Sequence, residues 1–155
     1  TRVMNALATL LIFWCVALLG GAAQAADPAP AGRVKHVFGA VSLVRAQTAQ
    51  PALVGSVVLP GDRIVTGPGS RAGITLADDT LLAVGPDTVL SIDEFAFDAT
   101  RHEGGLLATL VAGSLKVVSG LLARRAPESV RFRTPTMALG VRGTEFIVDA
   151  RGTAP

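Results

Sequence analysis

Short apolar runs separated by turn-forming residues dominate the chain from Arg33 onward. The runs are four to seven residues long, and glycine, proline or aspartate interrupts them about every ten residues. Runs of this length suit strands better than helices. The sequence therefore predicts an all-β fold, a single domain of many short strands arranged as a β-sandwich, roll or solenoid. The turn signals include Pro60-Gly61-Asp62, Gly67-Pro68-Gly69, Gly85-Pro86-Asp87 and Gly104-Gly105.

Several runs alternate between apolar and polar residues, as a strand with one buried face must. The pairs that share the apolar face are Val41 with Leu43, Ile74 with Leu76, and Leu90 with Ile92. Asp78 and Asp79 separate two such runs, and aspartate is one of the few residues besides glycine that tolerates a left-handed backbone. This pattern predicts a tight hairpin at these two aspartates.

The composition indicates what fills the core. Half of the residues are hydrophobic, yet only 5% are aromatic and tyrosine is absent. The core must therefore be built from valine, leucine, isoleucine and alanine, and the chain is too apolar to be disordered. The formal net charge is only +2, and no basic stripe with interleaved aromatic residues is present, so we expect no nucleic-acid partner.

The N-terminal residues have the pattern of a secretory signal peptide. Residues 6–19 are almost uninterruptedly apolar, Arg2 precedes them, and small residues follow at 20–26. The Ala23-x-Ala25 pattern predicts cleavage after Ala25 and export to the periplasm. The alternative is an uncleaved membrane anchor, which usually needs about 20 apolar residues. The single cysteine, Cys15, lies inside this segment, so we expect no disulfide in the mature domain.

The domain boundaries follow from these signals. We assign residues 1–25 to the signal peptide, 26–32 to a flexible leader, 33–150 to the β domain and 151–155 to a turn. Because that turn follows an apolar strand with no partner strand after it, we expect the natural protein to continue past Pro155. Within the domain, residues 104–122 are interpreted as two strands joined at Gly113, with a helix for part of the segment as the alternative.

A weak internal sequence similarity is consistent with two duplicated halves. Three segments at 39–44, 63–66 and 79–82 occur in the same order as similar segments at 113–118, 131–134 and 143–146. Duplication and chance similarity between β-rich segments both remain open.

An ordered set of motifs resembles the FecR domain along residues 33–148. The set comprises Gly39-x-Val41, Leu59-x-Gly61-Asp62-x-Ile64-x-Thr66, Gly69-Ser70-x-Ala72, Asp79-Thr80, Gly113-Ser114, Thr134-Pro135 and Gly140-Val141-Arg142-Gly143-Thr144-x-Phe146-x-Val148. The resemblance implies a β-rich periplasmic domain. In the founding members this domain receives a signal from an outer-membrane iron-siderophore transporter. An N-terminal cytoplasmic region then passes the signal, through one membrane helix, to an extracytoplasmic-function sigma factor.

This chain departs from the family plan in two places. No cytoplasmic segment precedes the apolar stretch, so the sequence does not support direct control of a sigma factor. The family's usual Asp-Gly-Thr turn is Asp78-Asp79-Thr80 here, which affects only the type of turn.

The last family motif supplies the first group of candidate interaction residues: Gly140, Arg142, Gly143, Thr144 and Phe146. The two glycines bracket a predicted turn or bulge before a strand over 144–150. Arg142 has two interpretations. It either pairs with a nearby carboxylate or carbonyl and fixes this turn, or it is presented to a partner.

A second candidate is a basic surface formed by Arg131 and Arg133. Residues two apart on a strand share a face, so these arginines are placed to receive an acidic partner. Solvated arginines are the simpler interpretation.

The sequence predicts no catalytic, cofactor or metal site. His36 and His102 are far apart, whereas a metal site needs several convergent ligands. Ser114 lies in no nucleophile elbow. Asp93 and Glu94 are adjacent on a predicted strand, where neighbouring side chains point to opposite faces.

These observations favour an exported, non-catalytic module that binds a protein or senses a signal in the periplasm. Its partner would be another envelope protein, a transporter or a regulator, and contact with the membrane would be limited to the signal segment or anchor. Two alternatives remain: a structural or adhesive β module of the cell envelope, and a membrane-anchored sigma-factor regulator whose cytoplasmic part lies upstream of Thr1.

Overall fold

The computed structural model describes residues 25–141 and 143–150. This part of the chain forms thirteen short strands and one short helix. Residues 1–24, Arg142 and residues 151–155 lie outside the described residues, and with them all but the last residue of the predicted signal peptide and the whole predicted C-terminal turn. The strands are β1 (Gly32–Phe38), β2 (Val41–Arg45), β3 (Thr48–Pro51), β4 (Val57–Val58), β5 (Arg63–Thr66), β6 (Arg71–Leu76), β7 (Leu81–Val84), β8 (Val89–Asp98), β9 (Glu103–Ala112), β10 (Ser114–Val118), β11 (Val130–Arg133), β12 (Ala138–Gly140) and β13 (Glu145–Asp149).

The strands form two sheets around one core. Sheet one has the order β13-β10-β7-β6-β1-β4, and sheet two has the order β12-β11-β9-β8-β5-β2-β3. Neighbouring strands are antiparallel except β9 and β11, which are parallel. The predicted all-β, single-domain fold is confirmed, and its architecture is two sheets with inner faces that share a hydrophobic cluster.

The core is aliphatic, as the composition predicts. In β6 the buried residues are Ala72, Ile74 and Leu76, and the residues between them are less buried. Strand β8 contributes Leu90 and Ile92 from the opposite sheet. Burying a side chain of this size contributes about 1.5–3 kcal/mol, so the predicted alternation provides most of the driving force for packing the sheets.

The segment at 104–122 contains two strands, as predicted, although they do not form a hairpin. Strand β9 belongs to sheet two and β10 to sheet one, so the chain changes sheets at Gly113. Gly113 has φ +88°, a conformation that favours glycine. Gly39, with φ +77°, has the same role between β1 and β2. The helix α1 (Leu121–Arg125) begins only at the end of the segment.

A four-residue loop holds each of these glycine crossovers. At the first, Ser70 Oγ accepts the N–H of Ala40 at 2.8 Å, and the N–H of Gly67 donates to the Ala40 carbonyl at 3.0 Å. Both backbone groups of the residue after Gly39 are thereby bound by the loop Gly67-Pro68-Gly69-Ser70.

The second crossover repeats this arrangement. Thr88 Oγ1 accepts the N–H of Ser114 at 3.0 Å, and the N–H of Gly85 donates to the Ser114 carbonyl at 2.9 Å. The loop here is Gly85-Pro86-Asp87-Thr88, which is again Gly-Pro followed by a hydroxyl residue at the fourth position.

Thr66 joins the two loops. Its hydroxyl donates to the Gly85 carbonyl at 2.6 Å and accepts the N–H of Thr88 at 3.0 Å. Its own N–H donates to the Thr88 carbonyl at 2.9 Å. Four passages between the sheets therefore meet in one hydrogen-bonded cluster, which we call the crossover cluster: residues 39–40, 66–70, 85–88 and 113–114.

The hairpin predicted at Asp78 and Asp79 joins β6 to β7. Asp79 has φ +66° and takes the place of the glycine in the family's usual turn. The Asp78 carboxylate is buried, and it accepts the Thr80 hydroxyl at 2.8 Å and the N–H of Leu122 at 3.3 Å. The hairpin thus also holds the start of α1.

The similar segments of the two halves occupy different positions in the fold. Strands β2 and β5 are neighbours in sheet two. Their counterparts β10 and β11 belong to different sheets. The internal sequence similarity therefore does not correspond to a repeated arrangement of strands.

We expect Thr88→Val to destabilise the protein by about 1–3 kcal/mol, because the substitution keeps the side-chain shape but leaves the part-buried N–H of Ser114 without its acceptor. Urea unfolding followed by far-ultraviolet circular dichroism measures the change. Thr48→Val in the exposed strand β3 is the matched control, and it should stay within about 0.5 kcal/mol of the parent. Equal stability of the two variants would contradict the role of the crossover cluster.

Candidate functional site

A groove of about 860 Å³ lies over β8, β9, β11 and β12 of sheet two. Arg131 and Arg133 line it together with Glu94 and Glu128. We call it the arginine groove. It combines the basic surface singled out in the sequence with one residue of the last family motif, Gly140.

Strand register brings these residues together. Arg131 in β11 lies opposite Gly140 in β12 and opposite Leu107 in β9. Leu107 in turn lies opposite Glu94 in β8. Residues in register share one face of a sheet, so these four form a row across the outer face of sheet two.

A second row runs beside the first. Arg133 lies opposite Ala138 in β12 and Thr109 in β9, and Thr109 lies opposite Ser91 in β8. Both Arg131 and Arg133 are exposed, whereas Phe132 between them is fully buried. The two arginine side chains therefore leave the same side of β11, from Cα atoms about 7 Å apart along the strand.

Neither arginine of the groove forms a salt bridge within 25–141 and 143–150. The ion pairs of these residues are Arg45 with Asp62, Lys116 with Glu145, and Arg125 with Glu103. Glu94 is two strands away from Arg131, a distance of about 10 Å across the sheet. The guanidinium groups are thus available to an external acceptor.

Small residues make the groove concave. Ala96 and Gly105 lie opposite each other in β8 and β9, and Ala138 and Gly140 form the exposed side of β12. A Cβ atom added at Gly140 would have no neighbour within 4 Å. The face therefore has room for another chain beside the arginine side chains.

A bulge in β8 changes the expected placement of Asp93 and Glu94. The register shifts between Ile92 and Glu94. Ile92 is buried and Phe95 also packs against the core, so two residues instead of one separate these inward-facing positions. The alternation that should place Asp93 and Glu94 on opposite faces is broken here. The Asp93 carboxylate accepts the hydroxyls of Ser91 and Thr109, which indicates a structural role.

The residues of the last family motif are divided between the two sheets. Gly140 belongs to β12 of sheet two, Phe146 belongs to β13 of sheet one, and the chain between them passes from one sheet to the other. Ser119 holds this passage, because its hydroxyl donates to the Gly143 carbonyl at 3.0 Å and its N–H donates to the Thr144 carbonyl at 2.8 Å.

Phe146 packs edge-on against the buried ring of Phe132, with ring centroids 5.5 Å apart. Gly143 has φ +106°. Of the candidate motif residues that the structure describes, Gly140 alone lines the arginine groove, while Gly143, Thr144 and Phe146 hold the passage between the sheets. Arg142 lies outside the described residues, and both interpretations of it remain predictions.

Asp62, from the Leu59-x-Gly61-Asp62 motif, holds a different part of the fold. Its buried carboxylate accepts two hydrogen bonds from the Arg45 guanidinium, at 2.8 and 2.6 Å, and one from the N–H of Leu59 at 2.8 Å. Arg45 also donates to the Val57 carbonyl at 3.0 Å. The hydrogen bond with Asp62 raises the pKa of Arg45, so the guanidinium group stays protonated.

The two histidines are separate in the fold. His36 lies over Gly73 on sheet one, whereas His102 stacks on Phe97 at the turn between β8 and β9, with centroids 6.2 Å apart. No group of three or more potential metal ligands occurs among the residues that the structure describes. Nor does any helix in that part have the length and hydrophobicity to cross a membrane.

Comparison with known families identifies the chain. The family model described as FecR protein matches residues 62–154, which is more than half of the sequence. The chain belongs to the FecR family. The match begins at the buried Asp62 and includes the arginine groove and the whole of the last motif. Membership of the FecR family makes this domain a regulator-related module.

Two further comparisons add little to the family assignment. No curated protein matches the chain. A solved structure named "Cell surface anchoring domain" is similar with a TM-score of 0.38 and 19% identity, over 39% of this chain and 82% of that one.

Sequence reasoning missed Leu107, Glu94 and Glu128 as members of the FecR domain's groove. No local sequence pattern predicts that these residues lie near the arginines. Leu107, for example, is placed beside Arg131 by the parallel pairing of β9 with β11. The spacing of Arg131 and Arg133, together with Gly140 of the last family motif, was the signal of this face in the sequence.

We expect Arg45→Met to destabilise this FecR domain by about 3–5 kcal/mol, because it leaves a buried carboxylate without its cation. Asp62→Asn should cost less, about 1–3 kcal/mol, since the amide oxygen still accepts the N–H of Leu59 and the half-exposed Arg45 can reach water. Thermal unfolding of both variants measures the difference. The reverse order would contradict this account of the pair.

Proposed function

We propose that this protein is a non-catalytic binding module of the bacterial envelope that receives a segment of another envelope protein in the arginine groove. The observation that carries the proposal is the pair Arg131 and Arg133, which are exposed on one face of β11 and free of salt bridges among the described residues. Membership of the FecR family supports a role in signalling rather than in chemistry.

The geometry of the groove favours an extended, acidic segment. A guanidinium group binds a carboxylate through two parallel hydrogen bonds, which gives direction as well as attraction. The spacing of the two arginines along β11 equals the spacing of side chains two residues apart in another extended chain. A segment with carboxylates at alternate positions would therefore match both arginines at once.

Leu107 gives the groove an apolar floor beside the arginines. It is partly exposed between Glu94 and Arg131. An apolar side chain of the partner can cover it, while the glutamates Glu94 and Glu128 repel additional carboxylates. The groove thus distinguishes an alternating acidic segment from a uniformly acidic one.

We place this binding event in the periplasm, after export directed by the signal segment. The partner would be a transporter or a regulator of the envelope, as for the regulators of iron-siderophore uptake that this chain resembles. Occupancy of the groove would then be the signal that the module reports.

The proposal is tested with a photo-crosslinking amino acid at Leu107 in the cell envelope. We expect a crosslink to a protein whose attached peptide contains aspartate or glutamate at alternate positions. Arg131→Glu with Arg133→Glu should lower the yield at least about tenfold per arginine, since a hydrogen bond to a charged group contributes about 1.5–3 kcal/mol.

Arg101→Glu with Arg124→Glu is the control, because both arginines are exposed outside the groove and the change in net charge is the same. This pair should leave the crosslink unchanged. Crosslinks to peptidoglycan or polysaccharide alone, or a yield that does not depend on Arg131 and Arg133, would overturn the proposal.

A further inference from the structure

Three of the most exposed large apolar side chains belong to β1 and to a loop that is hydrogen-bonded beside it. Phe38, Leu53 and Val54 are 62%, 67% and 68% exposed. Phe38 is the last residue of β1, and the other two occupy the loop between β3 and β4. Single exposed apolar residues are common, but a cluster indicates an interaction surface.

Backbone hydrogen bonds hold the loop against β1. The N–H of Gly55 donates to the Val34 carbonyl at 2.8 Å, and the N–H of Ala52 donates to the Val41 carbonyl at 2.9 Å. The two apolar residues of the loop lie between these attachments. They are therefore alongside the segment of chain that contains Phe38.

Three cations surround these apolar residues. The Arg71 guanidinium lies over the Phe38 ring, 5.2 Å from its centroid. Arg33 donates to the Gly55 carbonyl at 3.4 Å, and Lys35 is exposed on β1. None of the three forms a salt bridge with another described residue.

Carboxylates are scarce in the same region. No aspartate or glutamate occurs between Asp27 and Asp62, and Asp62 is buried against Arg45. Asp87 is an exposed carboxylate of the crossover cluster, which also contains the turn after Phe38. Its N–H donates to the Gly67 carbonyl at 3.2 Å. The apolar residues therefore have a basic rim, and we call the whole the basic tip: Phe38, Leu53 and Val54 with Arg33, Lys35 and Arg71.

We propose that the basic tip docks on a bilayer surface that carries anionic phospholipid headgroups. Apolar side chains at a loop tip enter the boundary between headgroups and acyl chains, while lysine and arginine remain at the level of the headgroups. The tip residues do not line the arginine groove. Widely exposed apolar side chains with a basic rim match a deformable lipid interface, whereas a protein partner would need a matching pocket.

This surface is independent of the arginine groove. Phe38 and its cations belong to strands of sheet one, whereas Arg131 and Arg133 belong to sheet two. A module bound to the membrane through the basic tip would keep its groove available for a partner. Loss of either surface should leave the other intact.

The test uses the whole protein and vesicles of phosphatidylcholine with about 30% phosphatidylglycerol, and co-sedimentation as the readout. Lys35→Gln with Arg71→Gln should weaken binding about 25-fold, since each cation near an anionic surface contributes about fivefold. Leu53→Ser with Val54→Ser should weaken it about tenfold or more, because apolar area no longer enters the interface.

The matched controls remove equivalent groups elsewhere. Ile147→Ser removes an apolar side chain that is 72% exposed, and Arg101→Gln with Arg124→Gln removes two exposed cations. Both should bind like the parent. Any contribution from the apolar residues 6–19 is common to all variants, so only the differences between variants report on the tip.

Hydrogen exchange provides a local readout that residues 6–19 cannot dominate. We expect the anionic vesicles to protect amides at 35–38 and 52–56, and pure phosphatidylcholine vesicles to protect them much less. Unchanged exchange at these positions would overturn the proposal, as would equal vesicle binding by the tip variants and the controls. Protection by a soluble polyglutamate peptide without protection by vesicles would assign the tip to an acidic protein and would also overturn it.

Discussion

The fold depends on the hydrogen bonds that hold the chain where it passes between the sheets. Aliphatic packing drives the sheets together but does not specify which strands belong to which sheet. In the crossover cluster, Ser70, Thr66 and Thr88 are buried polar residues whose hydroxyls bind backbone groups of neighbouring passages. No buried side-chain nitrogen or oxygen in the described residues lacks a hydrogen-bond partner. Since an unpaired buried polar group is costly, alternative connections between the sheets are disfavoured.

Local sequence rules predict the strands well and the pairing of strands poorly. Alternation identifies the inward residues of β6 and β8, and the aspartates mark the hairpin before Leu81, because both signals act over a few residues. The parallel pairing of β9 with β11 depends on contacts across the whole domain. The composition of the arginine groove depends on that pairing and on the bulge at Asp93, so the sequence identifies Arg131 and Arg133 but not their neighbours.

The family motifs lie mainly where the backbone is constrained. Asp62 fixes Arg45, Ser70 binds Ala40, and Gly143 accepts the Ser119 hydroxyl. These residue types follow from geometry, since each position needs a small residue, a hydroxyl or a buried carboxylate. The exposed residues of the groove and of the basic tip are under no such constraint from the fold. The motif pattern therefore describes how the domain is built, and the two surfaces proposed for binding lie outside most of it.

The parallel pairing of β9 with β11 has a mechanical consequence. The chain that joins these two neighbours leaves sheet two at Gly113, runs through β10 in sheet one, and returns by way of α1. This connection ties the two sheets covalently, so a load on β11 would pass along the chain into the opposite sheet, where β10 lies between β7 and β13.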